Sequence, residues 1–130
     1  MAGLPVRVYL VDDSAALRDM LGELLTEPGR IEVIGASGSA TAAVPDIERM
    51  RPDVVILDLQ LADGDGFAAA GAIRALSGGP VPRIVFFTNH QSAELRRRAL
   101  ALGLADYLDK TLDHERLVAL LAGMAGARGA

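Results

Sequence analysis

Cysteine and tryptophan are absent from the 130-residue chain, and lysine occurs once, as Lys110. Without cysteine there is no disulfide framework and no thiolate site for metal or redox chemistry, which fits a reducing compartment, and a cytoplasmic location is expected. Long apolar runs are missing too. No stretch approaches the roughly 18 to 20 residues of a membrane span, and no export signal or membrane association is expected. Aromatic residues are scarce, limited to Tyr9, Phe67, Phe86, Phe87 and Tyr107, so the 51% hydrophobic content is mostly Leu, Val, Ile and Ala. Such a mixture suits helices laid over a buried sheet. A formal net charge of −4 gives no general attraction for nucleic-acid phosphate, and no direct nucleic-acid binding is expected. The length is that of one domain with one ordinary core.

What is present is an alternation. The apolar run VRVYLV (6–11) precedes a segment with Leu17, Met20, Leu21, Leu24 and Leu25 at helical spacing, with Ser14 as its N-cap. IEVIGA (31–36) precedes a helix over about 40–50 that contains Pro45, so this helix either starts late or is kinked. VVILDL (54–59) leads through a Gly-rich loop to an Ala-rich helix over about 65–76. After the turn signal SGGPVP come RIVFFT (83–88), a helix over about 92–102, and the short run ADYLDK (105–110). Leu117, Leu120, Leu121 and Met124 mark a last helix face, and residues 124–130 are expected to form a short flexible tail after a domain spanning 1–123.

Five strands alternating with five helices predict an α/β fold, a doubly wound parallel sheet covered on both faces. Ligands of such sheets bind beyond the carboxyl ends of the strands. The polar residues that end the apolar runs all fall there: Asp12 and Asp13, Asp58, Thr88, and Lys110. Three converging carboxylates need a shared cation, and an oxygen-only set without His or Cys suits Mg2+. With that charge neutralised, a carboxylate can attack phosphorus to give an aspartyl phosphate, helped by an ammonium and a hydroxyl on the phosphoryl oxygens. The remaining 12 basic residues are all Arg, and a single Lys in that background suits a site that needs a compact point charge.

These features resemble the response regulator receiver domain of two-component signalling, over about residues 5–123. The matching motifs are VDDS (11–14), LDL with a glycine eight residues past its acid (Asp58 to Gly66), FFT ending at Thr88, and YLDK ending at Lys110. The resemblance implies a flavodoxin-like (βα)5 fold with strand order 2-1-3-4-5. It makes Asp58 the phosphoacceptor, served by Thr88 and Lys110. It assigns Mg2+ to Asp13, Asp58 and the backbone carbonyl of Gln60, with Asp12 supporting through water. Thr88 and Tyr107 become a switch pair: on phosphorylation the hydroxyl moves toward the phosphate, the ring turns inward, and the face of the fourth helix, fifth strand and fifth helix changes its binding preference. The implied partners are a sensor histidine kinase or a histidine phosphotransfer protein and a downstream protein target, with a homodimer forming on phosphorylation as a further expectation.

The chain departs from that pattern at three positions. Ala62 stands where Pro is frequent, Asn89 replaces a small residue after the switch Thr and narrows the approach to Asp58, and Thr111 follows Lys110 where a cis-Pro is usual. A cis bond before a residue other than Pro costs about 3–4 kcal/mol, so this bond is trans or the loop is strained. No reacting group is lost, and altered kinetics are expected. Two other readings fall on chemistry. An aspartyl-phosphate phosphatase enzyme needs a second acid two residues past the nucleophile, where Gln60 stands. GDGFAA (64–69) fits a dinucleotide fingerprint but lies five residues from the strand end, and the acid expected about 20 residues further on is missing. Asp63 and Asp65 begin a calcium-loop pattern that Phe67 and Arg74 cannot complete. Arg96, Arg97 and Arg98 read as a solvated run on the signalling face, and His90 as a surface residue. The chain is expected to be a non-enzymatic switch of single-domain type; the receiver part of a longer DNA-binding regulator is the other reading.

Overall fold

Alternate residues of each apolar run point to opposite faces of one sheet that is covered on both, which is why the runs are mostly apolar, with Arg7, Glu32 and Arg83 near their amino-terminal ends. The computed structural model describes residues 4–129. In chain order the elements are β1 (Val6–Val11), α1 (Ala15–Leu25), β2 (Ile31–Ser37), α2 (Ala40–Met50), β3 (Val54–Leu57), β4 (Gln60–Leu61), β5 (Gly64–Asp65), α3 (Gly66–Arg74), β6 (Arg83–Thr88), α4 (Ala93–Ala101), β7 (Tyr107–Asp109) and α5 (His114–Gly129). Five strands form one parallel sheet in the order β2-β1-β3-β6-β7, which is the expected 2-1-3-4-5 once the small β4-β5 hairpin is set aside.

One face carries α1 and α5. There Leu21, Leu25, Leu117 and Leu121 pack on Val6, Val8, Leu10, Val54, Ile56, Val85, Phe87 and Leu108. On the other face Ala43 and Ile47 of α2, Phe67 and Ile73 of α3, and Ala99 of α4 cover Tyr9, Val11, Val55, Leu57, Phe86 and Tyr107. Fully burying a Leu or Phe side chain contributes about 1.5–3 kcal/mol, so these two layers supply most of the stabilisation. Among the described residues no helix is long and apolar enough to cross a membrane.

Several local expectations change. Ser14 caps α1 as expected, accepting from Leu17 N at 3.1 Å, but the buried stripe of that helix is narrower than its apolar pattern. Met20 and Leu24 remain 39% and 45% exposed. Helix α2 does not start late: Ser39 caps it and Pro45 lies inside, removing the hydrogen bond that a residue there would give to the Thr41 carbonyl. Helix α5 continues to Gly129 with Ala125 buried, so the segment expected as a flexible tail is helical that far. Residue 130 of that segment lies outside the described residues. No cis peptide bond occurs among the described residues, which makes Lys110–Thr111 trans.

Two contacts fix the loop that follows Asp58. Gly66 N donates to Leu59 O at 2.7 Å, which packs the start of α3 on the Asp58–Leu59 backbone. A Cβ at Gly66 would stand 2.4 Å from the Asp58 carbonyl oxygen and 2.8 Å from Leu59 Cα. The tip of the hairpin is tied to α2 through Asp63, whose carboxylate accepts from Ala40 N at 2.8 Å, Thr41 N at 2.9 Å and the Ser39 hydroxyl at 2.7 Å. Asp63 was discounted as a calcium ligand; its work is to cap a neighbouring helix, where anionic charge meets unpaired N–H groups. These hydrogen bonds hold its carboxyl well below the ordinary carboxylate value of 3.8.

Gly66→Ala is expected to lower stability in urea unfolding by about 1–3 kcal/mol, because backbone has to move. Gly71→Ala, in the interior of α3 with nothing within 4 Å of the new methyl, should raise it by about 0.5–1 kcal/mol. For Asp63 the sign follows from its lowered pKa: its contribution is complete above the ordinary carboxylate range and fades as pH falls below it. The stability gap between the natural chain and Asp63→Asn, read by thermal unfolding from neutral pH downward, should therefore close in acid.

Candidate functional site

The strand ends deliver the expected residues to one place. Asp12 follows β1 and is buried; its backbone N donates to Ser37 O at 3.0 Å, and its Oδ1 accepts from Ser14 N at 2.9 Å. Asp13, next in the chain, is exposed. Asp58 follows β3, with its N donating to Val11 O at 3.0 Å, and its side chain is buried. One carboxylate oxygen each from Asp12, Asp13 and Asp58 lie within 4.8 Å of one another.

Lys110 enters from the far side of the sheet. The turn after β7 is shaped by Asp109, whose Oδ1 accepts from Thr111 N at 2.7 Å and Leu112 N at 3.1 Å, and by Asp113, whose Oδ2 accepts from Asp109 N at 2.8 Å. Lys110 N donates to Thr88 O at 3.1 Å, continuing the β6–β7 ladder past its last pair. Its ammonium then reaches both buried acids, Asp12 Oδ2 at 2.6 Å and Asp58 Oδ2 at 2.7 Å. Burial works against the charged amine, but the hydrogen bonds and charges of Asp12 and Asp58 outweigh it and hold the Lys110 pKa above the ordinary lysine value. The link to Asp12 was not legible from the motifs, which give no hint of which acid the ammonium selects.

The oxygen set fits a hard divalent cation. It contains three carboxylates and no soft donor, and Asp13 is open to solvent, as an ion that retains several waters requires. Two unit charges about 5 Å apart repel by about 3 kcal/mol at an effective dielectric near 20, so this cluster favours a second positive charge beside Lys110. Gln60 begins the β4-β5 hairpin, with its N approaching Asp58 Oδ1 at 3.4 Å.

Thr88 ends β6 and is fully buried, its Oγ1 accepting from His90 N at 3.1 Å. Tyr107 opens β7 and is only 5% exposed, with its ring near Phe86 and its hydroxyl donating to the His90 carbonyl. Burial raises the pKa of this phenol; Arg96 pulls it back and Asp58 adds to the rise.

Three partnerships escaped the sequence. His90 Nε2 meets Gln60 Oε1 at 2.6 Å, so a residue read as an ordinary surface His joins the β6–α4 loop to the β4-β5 hairpin. Thr111 Oγ1 donates to Asn89 Oδ1 at 3.2 Å, which couples two of the departures from the family pattern. Asn89 lines a hollow of about 510 Å³ with Ser14, Leu17, Met20, Lys110 and His114. The arginine run is not simply solvated: Arg96 lies over the Tyr107 ring at 4.8 Å and Arg98 over Phe67 at 4.2 Å. These pairings join residues 11 to 31 positions apart in the chain, and no local pattern announces them.

The chain matches the family model of the response regulator receiver domain over residues 8–122. It is 37% identical over 106 residues to a protein-glutamate methylesterase/protein-glutamine glutaminase of Nocardioides sp., covering 81% of this chain and 29% of that protein. An uncharacterized response regulatory protein of Yersinia pestis is 39% identical over 116 residues, covering 89% of this chain and 47% of the other. The chain thus spans less than half the length of these relatives. Among solved structures, a two-component response regulator of the LuxR family from Aurantimonas sp. superposes with a TM-score of 0.83 at 28% identity, covering 97% of this chain and 89% of that one. With the acidic cluster, the buried Thr88 and the bridging Lys110 at the carboxyl edge of a 2-1-3-4-5 sheet, the chain belongs to the response regulator receiver domain family.

Proposed function

We propose that the chain is a phosphorylation-controlled switch. Asp58 accepts a phosphoryl group from a phosphohistidine of a sensor histidine kinase or a histidine phosphotransfer protein. A bond forms between an Asp58 carboxylate oxygen and phosphorus as the phosphorus–nitrogen bond breaks, and the imidazole leaves. The single observation that best supports this is the Lys110 ammonium, 2.7 Å from Asp58 Oδ2, at the head of the acidic cluster. When bound by Asp13, Asp58 and the Gln60 carbonyl, with Asp12 assisting through water, Mg2+ supplies charge neutralisation for the incoming phosphoryl oxygens.

The chain's own residues do the rest. Lys110 is already within reach of the acceptor and serves as a point charge on the phosphoryl group. The Thr88 hydroxyl, now accepting from His90 N, turns to donate to a phosphoryl oxygen, with the buried Tyr107 ring as its switch partner. The face of α4, β7 and α5 carries the signal to a downstream protein. Its only chemistry is its own phosphorylation and dephosphorylation; the Gln60 amide cannot serve as the leaving-group acid of a phosphatase. Pairing of two copies through α4 on phosphorylation, cytoplasmic action, and no direct contact with nucleic acid complete the reading. The short coverage of the curated relatives favours a second form of it, in which this receiver controls an attached DNA-binding or other output domain.

Intact mass after incubation with acetyl phosphate and Mg2+ tests the acceptor. The natural chain should gain one phosphoryl group and Asp58→Asn none; an unmodified natural chain, or an equal gain in the variant, overturns the assignment. Metal binding has its own sign test, read by Mn2+ titration. Asp13→Asn should weaken binding on the order of tenfold, the equivalent of about 1.4 kcal/mol, while Lys110→Met should tighten it by removing a competing cation.

A further inference from the structure

Helix α4 attaches to the core through few apolar side chains, the buried Ala99 and the half-buried Leu95. Arginine side chains add to this hold. On one flank Arg98 lies over Phe67 of α3. On the other, Arg96 makes three contacts that converge on the switch pair: its guanidinium covers the Tyr107 ring at 4.8 Å, its Nη1 donates to the Tyr107 carbonyl at 3.2 Å, and its Nη2 donates to Gln91 Oε1.

Gln91 carries the connection onward. Its Nε2 donates to Thr88 O at 2.9 Å and approaches Leu108 O at 3.4 Å. From the other side the Tyr107 hydroxyl donates to the His90 carbonyl, and His90 N donates to Thr88 Oγ1 at 3.1 Å. The contacts close on themselves, running from Arg96 through Gln91, Thr88, His90 and Tyr107 back to Arg96. The ring is held inward, only 5% exposed, with no phosphoryl group on Asp58. A guanidinium can do this where an ammonium cannot, because its planar fork stacks on a ring and donates in two directions at once.

We propose that Arg96 is the positioning residue of the switch: by closing this loop it seats Tyr107 inward before phosphorylation, so that the α4 face rests close to the arrangement that the phosphoryl group is meant to select. The inference rests on Tyr107 being the switch aromatic. Phosphorylation then changes the ring position little, and Arg96 sets how far the resting chain already signals.

Nitration by tetranitromethane, read by peptide mass, reports on Tyr107 without any phosphoryl chemistry. Tyr9, fully buried, is the internal standard for an intact fold. In the natural chain both tyrosines should react slowly. In Arg96→Ala, Tyr107 should nitrate about five- to tenfold faster while Tyr9 stays protected. Loss of the cation alone would slow the reaction, because Arg96 favours the phenolate, so an acceleration reads exposure. Beryllofluoride with Mg2+ should return the Arg96→Ala rate toward that of the natural chain, and Arg97→Ala, altering the exposed residue beside it, should leave Tyr107 unchanged. Should Arg96→Ala open Tyr9 as well, Arg96→Gln decides, since it keeps a donor but no cation over the ring. Equal Tyr107 rates in the natural chain and the folded Arg96 variant, or equal acceleration by Arg97→Ala, overturn the inference. Phosphoryl uptake is measured separately: failure there sinks the acceptor role of Asp58 and leaves the hold of Arg96 on Tyr107 standing.

Discussion

The structure is organised around one ammonium between two buried carboxylates. Asp12 and Asp58 end neighbouring central strands, and each would be costly to bury as a lone charge. Lys110 meets both within hydrogen-bonding distance, which ties the edge strand β7 to the middle of the sheet at the end where the chemistry is expected. The rest of the site follows from that bridge. Placing Lys110 requires the Asp109 and Asp113 turn, and placing Asp58 requires the close packing of Gly66 on its backbone. The open member of the acidic set, Asp13, is then left to face solvent.

Much of this was legible because the fold obeys local rules. Continuous apolar runs separated by helical spacing gave the five strands and the five helices, and residues ending those runs had to share one edge of a parallel sheet. Asp12, Asp13, Asp58, Thr88 and Lys110 meet there for that reason. The cap at Ser14 was readable from residue type alone. The limits were equally physical. Pro45 inside α2 is tolerated because packing of Ala43 and Ile47 outweighs one lost hydrogen bond, a tertiary effect that periodicity does not report. The hairpin of β4 and β5 has two residues per strand, too short for an alternation to show.

Side-chain partnerships across loops were the other blind spot. Asp63 looked like part of an incomplete metal loop, yet it closes the N-terminus of a helix more than twenty residues away in sequence. Ala62 in place of a stiffening Pro does not leave this loop unsupported, since the next residue anchors it. Likewise Asn89 and Thr111, odd when taken singly, form a pair. The arginine run misled for a related reason. Charge patterning predicts solvated side chains, but guanidinium groups also cover aromatic rings, and in a chain with so few rings two of them are covered in this way.

The bridging lysine has one more consequence. It is the sole side-chain amine in the sequence, and only 13% of its side chain is exposed, beneath a clasp of two acids. Amine-directed acylating agents and cross-linkers, and enzymes that modify lysine, therefore find no other side-chain amine in these 130 residues, and an adduct on Lys110 itself reports directly on how tightly the clasp is shut.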